Sequence, residues 1–375
     1  MKTYIVIGAG ILGASTAYHL AKEGRNVTII DRGEPGQATD AAAGIICPWL
    51  TQRRNKAWYF LAKNGAAFYP SLIKQLEEDG EKETGYQRVG AISLHCDQEK
   101  LAKMEERATV RREDAPEIGE VRQLDQQETN ELFPLLSEEY ASVHVTGGAR
   151  VNGRLLRDAL LNAAQRHGAS IVKGNAQLES SGEKVTGVKV GDTRYEGDSI
   201  ILTAGAWAPE LLEPLGIKLS ISPQKAQIIH LMLENTETGC WPVVMPPNNQ
   251  YILAFDGGRL VIGATHEDDH GFDRRPTLGG MHEIIDKGLT VAPGLADATY
   301  LETKVGFRPV APNFLPIIGT IPGYENLFLA NGLGASGLTV GPYLGAQLAK
   351  LAAGEDLELD PEQYDVSGAI TDNIS

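Results

Sequence analysis

The segment TYIVIGAGILG, residues 3–13, is the strongest predictor of the fold of this chain. Its first five residues form a β-branched run typical of a buried parallel strand. The next six have the spacing GxGxxG, and the apolar period of ASTAYHLAKEGRN after them predicts a helix. In such a unit the first glycine allows a tight turn, the second lets the backbone approach a pyrophosphate, and the third lets helix and strand pack closely. The segment therefore predicts a dinucleotide-binding site with the helix N-terminus facing the anion.

A second predicted strand, VTIID, ends on Asp31, eighteen residues after Gly13. A carboxylate at this point is placed to accept hydrogen bonds from ribose hydroxyls. It also argues against a 2′-phosphate, although the adjacent Arg32 leaves that alternative open. The chain does not continue with the repeated βαβ units of a nicotinamide-binding sheet. Instead RGEPGQATDAAAGIICPW, residues 32–49, forms a loop of small residues against which a bulky ligand can lie.

The rest of the chain predicts two interleaved parts. A helix is predicted from Lys56 to Glu78, and residues 86–145 mix short strands with charged helical patches. The nucleotide-binding part resumes with a helix from Gly153 to His167, whereas residues 220–268 alternate like the strands of a half-exposed antiparallel sheet with a Gly257-Gly258 turn. We expect residues 1–82, 148–220 and 305–375 to form a nucleotide-binding domain, and residues 83–147 and 221–304 to form a substrate-binding domain.

Composition limits the classes of partner. With 34 basic and 49 acidic residues the net charge is −15, which argues against nucleic acid or anionic lipid as the main partner. Cys47, Cys96 and Cys240 include no CxxC pair, so we expect buried thiols in a reducing compartment and no metal site. The sequence has no apolar run of transmembrane length and no charged leader, which predicts a cytoplasmic protein without a transmembrane segment. Whether it forms a homo-oligomer is left open.

Motifs spread through nearly the whole chain resemble the D-amino-acid oxidase-like family of flavoenzymes, and their order is most similar to the glycine oxidase and D-amino-acid dehydrogenase branch. They are GAGILG with Asp31, ATDAAAGI, VNGRLLRDAL, TAGAW, GRLVIGAT, GFRPVAPNFLPIIG and GLGASGLTVGP. The resemblance implies an α/β fold, with a Rossmann-like FAD-binding domain and a discontinuous α+β substrate domain built on a mainly antiparallel sheet. Some family members attach the flavin through a cysteine after the arginine-proline motif. Because APNFLPIIG contains none, we expect non-covalent FAD.

The resemblance also implies which residues hold FAD. The glycine loop would meet the pyrophosphate, Asp31 the ribose and Ala176 the adenine, while the backbone at the start of the last helix would stabilise negative charge on the flavin. Asp40 replaces a serine frequent in the family, and we expect its carboxylate to point away from the pyrophosphate. Ala335 stands where several relatives have a polar or basic residue. The expected cofactor-binding residues are Gly8, Gly10, Ile11, Leu12, Gly13, Asp31, Arg32, Thr39, Ala43, Gly44, Ile45, Ala176, Gly205, Gly334, Ala335, Ser336, Gly337, Leu338 and Thr339.

Arg308, in the motif GFRPVAPNFLPIIG, is the main candidate for the substrate site. In the family this arginine pairs with the substrate carboxylate, whose geometry matches a guanidinium fork. The alternative is a salt bridge that joins the two domains. Tyr251 is a candidate for substrate hydrogen bonding or an ordinary strand tyrosine with a solvated hydroxyl. His266 either lines the same pocket or is structural.

The reaction implied by the resemblance is oxidation of a small amino acid (glycine, N-methylglycine or a D-amino acid) by hydride transfer to flavin N5. The imine product would hydrolyse to a keto acid and ammonia or an amine, and oxygen or another acceptor would take the electrons. Oxidase and dehydrogenase are both left open. Two alternatives also stay open: oxidation of a hydroxy acid or glycerol phosphate, which needs a base such as His266, and a flavoprotein without turnover.

Overall fold

A computed structural model describes residues 2–371 of the chain. The predicted nucleotide-binding domain includes residue 1 and residues 372–375, which lie outside the described residues. The helices are α1 (Ile11–Lys22), α2 (Ala38–Ala41), α3 (Lys56–Glu78), α4 (Gln98–Arg112), α5 (Gln126–Leu132), α6 (Gly153–Arg166), α7 (Ala208–Leu212), α8 (Leu278–Val291) and α9 (Gly337–Ala353). The predicted helix over residues 56–78 is confirmed, and the helix predicted from Gly153 to His167 ends one residue earlier.

The strands are short except for two long ones in the second half of the chain. They are β1 (Thr3–Ile7), β2 (Asn26–Asp31), β3 (Ile45–Ile46), β4 (Tyr86–Arg88), β5 (Ala91–His95), β6 (Val121–Leu124), β7 (Ala141–Val145), β8 (Ala149–Val151), β9 (Ser170–Lys173), β10 (Ala176–Ser181), β11 (Lys184–Val190), β12 (Thr193–Tyr195), β13 (Ser199–Leu202), β14 (Lys218–Leu219), β15 (Ser222–Met232), β16 (Val243–Met245), β17 (Tyr251–Ala254), β18 (Arg259–Gly263), β19 (Thr299–Val310), β20 (Ile317–Thr320), β21 (Leu327–Asn331) and β22 (Ile370–Thr371).

One sheet has six strands in the order β20-β21-β13-β1-β2-β9, and all but β20 run parallel. Its inner strands are apolar on both faces, as a parallel sheet covered on both sides requires. Helices α1, α3, α6 and α9 pack together on one side, while the small sheet β10-β11-β12 contributes Val185 and Val188 to the apolar cluster on the other. The carboxyl ends of β1, β2, β13 and β21 therefore meet at one open edge, where doubly wound sheets bind ligands.

The second sheet has eight strands in the order β19-β15-β18-β17-β16-β5-β7-β6. Every adjacent pair is antiparallel except β16 and β5, so the predicted fold class is confirmed. The Gly257-Gly258 turn joins β17 to β18, and both glycines have positive φ. The predicted domain limits stay a prediction; β19 itself continues from residue 299 through the predicted limit at residue 305.

The expectation of three buried thiols is wrong for two of them. Cys47 is buried, whereas Cys96 and Cys240 are exposed because they lie in connections outside the strands. Within residues 2–371 no three His, Cys, Asp or Glu side chains come together as a metal site. In the same range, no helix combines the length and the apolar character needed to cross a bilayer.

Candidate functional site

A cavity of about 1450 Å³ is lined by residues of both large sheets. The six-stranded sheet contributes the loops after β1, β2 and β13, and the start of α9 lies beside them. The eight-stranded sheet contributes residues of β5, β17 and β19. The volume exceeds the roughly 300–1,000 Å³ of a pocket for one drug-sized ligand. The cavity therefore has room for a dinucleotide together with a small substrate.

The three glycines after β1 differ in what surrounds them. Gly8 has a φ of +106°, and a Cβ there would lie 2.6 Å from the backbone oxygen of Thr203. A Cβ at Gly13 would lie 1.8 Å from the oxygen of Gly8, so helix α1 approaches the loop as closely as backbone allows. By contrast, a Cβ at Gly10 would meet only the Thr39 hydroxyl, at 3.4 Å. Gly8 and Gly13 thus shape the loop, while Gly10 leaves space on the cavity side.

Asp31 holds the glycine loop against the end of β2. Its carboxylate accepts hydrogen bonds from the backbone N–H groups of Ala9 and Gly33, both at 2.6 Å, and from Gln37 Nε2 at 3.1 Å. Since a carboxylate offers about four lone-pair sites, capacity for a ribose hydroxyl is left. The role of Asp31 toward a ribose stays a prediction.

Arg32 is neutralised by two carboxylates. Its guanidinium pairs with Glu34 at 3.0 Å and Glu210 at 3.1 Å, and it also donates to Asn175 Oδ1 at 3.2 Å. A 2′-phosphate would have to compete with both acidic side chains. The geometry therefore favours a dinucleotide without that phosphate.

The small-residue loop after β2 lines the cavity with Thr39, Ala43, Gly44 and Ile45. The Thr39 hydroxyl accepts a hydrogen bond from the N–H of Ile11 at 3.0 Å, which caps the first turn of α1. Asp40 is not among the lining residues; its carboxylate pairs with Arg157 and lies 3.9 Å from Arg154. Asp40 thus lies off the cavity wall, as expected for a carboxylate that points away, and its position relative to a bound pyrophosphate stays a prediction. The two arginines explain why a carboxylate is stable at this position.

The segment from Gly334 to Thr339 lines the cavity at the start of α9. Two of its side chains are already engaged: Ser336 accepts from Trp58 Nε1 at 3.0 Å, and Thr339 donates to the backbone oxygen of Ile45 at 2.9 Å. The groups left to face a ligand are therefore the backbone and the helix N-terminus. Ile11, Leu12, Ala176 and Gly205 also line the cavity. Contact of these residues with FAD stays a prediction.

Arg308 is half-buried on β19 and faces the cavity. Its guanidinium donates to Gln224 Oε1 at 3.2 Å and to the backbone oxygen of Thr265 at 3.4 Å. Within residues 2–371 no carboxylate pairs with it, so the domain-joining salt bridge is not what the structure shows. Burial lowers the pKa of Arg308, but an arginine stays charged at neutral pH. A cation without a counter-ion in the described part of the chain thus lies on the cavity wall.

Tyr251 and His266 line the same part of the cavity as Arg308. Burial raises the pKa of Tyr251 to about 12 against the opposing effect of the Arg308 charge, so the phenol keeps its proton and can donate it. A Cβ at Gly263, opposite Tyr251 on β18, would lie 3.2 Å from the phenol oxygen. His266 is exposed to the cavity; desolvation and the Arg308 charge lower its pKa, and in the described part of the chain no hydrogen bond holds its ring.

The sequence did not point to Gln224 or to the basic face of α4. Gln224 lies directly opposite Arg308 in the β15–β19 register. Sequence patterns do not predict a pairing between residues so far apart in the chain. Lys100, Lys103 and Arg107 of α4 line the cavity together with His95 at the end of β5. The helix was predicted as a charged patch, and its 3.6-residue period could have shown that these three share a face.

The six-stranded sheet thus presents the glycine loop to the cavity, and the eight-stranded sheet presents a guanidinium that has no carboxylate partner among residues 2–371. These two features define a class of protein: oxidoreductases that hold a dinucleotide cofactor beside an anionic substrate. The chain belongs to the DAO family of FAD-dependent oxidoreductases, whose sequence model matches residues 3–351. FAD is therefore its cofactor. The position of Gly10, where a Cβ would contact only the Thr39 hydroxyl, and the start of α9 on the cavity wall fit that group.

Three similar proteins cover nearly the whole chain. It is 61% identical to "Uncharacterized oxidoreductase YurR" of Bacillus subtilis (strain 168), over 99% of this chain and 100% of the relative. It is 30% identical to the glycine oxidase of Pseudomonas aeruginosa PAO1, over 98% and 99% of the two chains. The crystal structure of iminodiacetate oxidase from Chelativorans sp. BNC1 has a TM-score of 0.93 and 47% identity, covering 96% of this chain and 98% of that one.

Proposed function

We propose that the chain oxidises a small amino acid, such as glycine, N-methylglycine or a D-amino acid. The observation that carries the proposal is the Arg308 guanidinium, which faces the cavity without a carboxylate partner among the described residues. The names of two similar proteins, glycine oxidase and iminodiacetate oxidase, support it, because both substrates carry a carboxylate next to the carbon that bears nitrogen.

In the proposed complex Arg308 binds the substrate carboxylate with two parallel hydrogen bonds. Gln224 and the Thr265 carbonyl fix the position of the guanidinium, and the protonated Tyr251 donates a hydrogen bond beside it. Bound FAD supplies the hydride acceptor, its N5 atom. The amine binds neutral, so its lone pair assists hydride loss and no protein base is required. These residues contribute orientation rather than a proton transfer.

His266 favours a second candidate, oxidation of a hydroxy acid. Its pKa is lowered, so the ring is neutral at pH 7 and could accept the proton that an alcohol must lose. However, a general base is usually held by a further hydrogen bond, and no residue in the 2–371 range supplies one. The amino-acid proposal is therefore preferred.

The test is anaerobic mixing of the FAD-loaded protein with matched amino and hydroxy acids, followed through the visible flavin absorbance. Bleaching by glycine or N-methylglycine, but not by glycolate, is the expected result. Bleaching by hydroxy acids alone would favour the second candidate, and bleaching by neither would favour a flavoprotein without turnover. The cytoplasmic location stays a prediction, and the electron acceptor and the oligomeric state stay open.

A further inference from the structure

The basic face of α4 forms a second positive wall of the cavity. Lys100, Lys103 and Arg107 follow one another at spacings of three and four residues, which places them on one side of the helix. His95, at the end of the preceding strand β5, lines the cavity beside them. The chain as a whole carries a net charge of −15, so a row of cations inside its main cavity is a local exception. Such a row raises the local concentration of an anionic ligand.

Arg107 is the member of this wall whose side chain has a solvent-shielded donor without an acceptor among the described residues. Its Nε is shielded from solvent and has no acceptor, and within residues 2–371 its guanidinium forms neither a hydrogen bond nor an ion pair. Lys103, by comparison, is bonded to Glu99 at 2.6 Å. A shielded donor without an acceptor is unfavourable, and an anion bound beside it would satisfy it.

Two other arginines, Arg111 and Arg53, have guanidinium groups that donate to backbone oxygens. Arg111 donates to the backbone oxygens of Trp49 and Thr51, and its charge lies over the Tyr59 ring. Arg53 donates to the backbone oxygen of Phe314 and stacks on Trp58. Neither of them lines the cavity. Arg107, which does, differs from both in lacking an acceptor.

The two positive walls lie on opposite sides of Tyr251. Arg308 is on β19, the first strand of the eight-stranded sheet, Tyr251 is on the fourth, and α4 follows β5, the sixth. Because both walls line one cavity, a substrate whose first carboxylate is held at Arg308 can carry a substituent that extends toward α4. A second carboxylate on that substituent matches the charge and the fork geometry of a guanidinium.

We propose that Arg107 binds a second carboxylate of the substrate, so that the preferred substrate is an amino acid with two carboxylates. This rests on the proposed amino-acid oxidation and narrows its substrate class. Arg107 selects among amino acids, whereas Arg308 binds the carboxylate that they share.

The first test compares dicarboxylates with neutral partners of similar size. The kcat/KM of the FAD-loaded protein is measured for iminodiacetate and N-(2-carboxyethyl)glycine, and for the monoamide of each in which the second carboxylate is replaced. For at least one of the two pairs, the kcat/KM of the dicarboxylate should exceed that of its monoamide by roughly tenfold or more. Arg107→Gln should raise the KM for the dicarboxylate, so that its preference over the monoamide is lost. Arg107→Lys should retain part of this preference. Arg112→Gln is the matched control, because Arg112 is an exposed arginine of the same helix outside the cavity.

A second readout does not depend on turnover. Thiodiacetate has two carboxylates but no amine, and its binding to the FAD-loaded protein is measured by thermal shift and by perturbation of the flavin spectrum. Arg107→Gln should weaken this binding about tenfold, and Arg112→Gln should not. If no amino acid bleaches the flavin but thiodiacetate binding still requires Arg107, the proposed oxidation fails and the dicarboxylate site stands. If monoamides match dicarboxylates in the parent, or Arg107→Gln weakens both equally, the Arg107 site is refuted.

Discussion

At the scale of single residues, Asp31 combines an observed structural role with a predicted role in FAD binding. It closes the glycine loop through the backbone N–H groups of Ala9 and Gly33, and it also lines the cavity. The ribose-binding role of this acid was predicted from its spacing after the glycine motif alone. It could not predict the two backbone bonds, because they depend on how the loop after β1 folds back onto β2.

Asp31→Ala should therefore weaken FAD binding and destabilise the FAD-free protein. Loss of hydrogen bonds to a charged group corresponds to roughly 1.5–3 kcal/mol of FAD binding free energy. Fluorescence titration of FAD and thermal unfolding of the FAD-free protein measure the two effects. Asp40→Ala is the control, since its partly exposed pair with Arg157 should contribute less than about 1 kcal/mol to stability and nothing to FAD affinity. An unchanged FAD dissociation constant in Asp31→Ala would remove this residue from the site.

Cys47 is the thiol to test for covalent flavin attachment, because it lines the cavity. Burial raises the pKa of the Cys47 thiol to about 12, so it stays protonated and is a poor nucleophile. Acid precipitation of the FAD-loaded protein should give a colourless pellet and a yellow supernatant, identically for the parent and Cys47→Ser. A yellow pellet that becomes colourless in Cys47→Ser would show attachment at this residue.

At the scale of elements, the β1–α1 unit shows why a local motif predicts so much. Its strand, glycine spacing and helix are encoded within neighbouring residues, and the structure reproduces each of them. Strand register determines the pairing of Gln224 with Arg308. Packing across the eight-stranded sheet determines which side of α4 lines the cavity. Sequence patterns do not contain that information, so the substrate half of the site was less predictable than the cofactor half.

The same unit contains two kinds of glycine: Gly8 and Gly13 are required by close packing, whereas Gly10 faces the cavity. Gly13→Ala should destabilise the FAD-free protein by roughly 1–3 kcal/mol or more, because its Cβ would overlap the Gly8 carbonyl. In Gly10→Ala the new Cβ would make only an ordinary contact, 3.4 Å from the Thr39 hydroxyl, at an ordinary φ of −67°, so this variant should fold normally but bind FAD more weakly. Thermal unfolding without FAD and FAD titration distinguish the two effects. Equal unfolding temperatures for both variants would contradict this division.

At the scale of the whole molecule, the eight-stranded sheet contains a buried histidine that links stability to pH. Burial lowers the pKa of His230 to about 4, and the charges of Lys304 and Arg259 act in the same direction. The folded pKa lies below the ordinary value of 6.5, so the unfolded chain takes up the proton first. Stability from this group is present above pH 6.5 and is lost as the pH falls toward 4.

Acidification from pH 7.5 to 5.5 should thus lower the free energy of unfolding by about 1 kcal/mol through His230. His230→Gln should lose correspondingly less over the same interval. Denaturant unfolding of parent and variant at the two pH values measures the difference. Identical losses in the two proteins would show that His230 does not contribute.

The proposed function of the whole molecule depends on a substrate carboxylate held at Arg308, opposite the FAD-binding edge. The decisive measurement is steady-state oxidation of glycine or N-methylglycine by the parent, Arg308→Lys and Arg308→Ala, with bound FAD determined in each. Arg308→Ala should retain FAD and lose about 2–5 kcal/mol in kcat/KM, mostly through KM. Arg308→Lys should recover only part, because an ammonium cannot form the two-pronged contact. An amine without a carboxylate should be a poor substrate that is insensitive to the change. If Arg308→Ala instead oxidises amino acids normally and only unfolds at a lower temperature, Arg308 is structural and the proposed function is wrong.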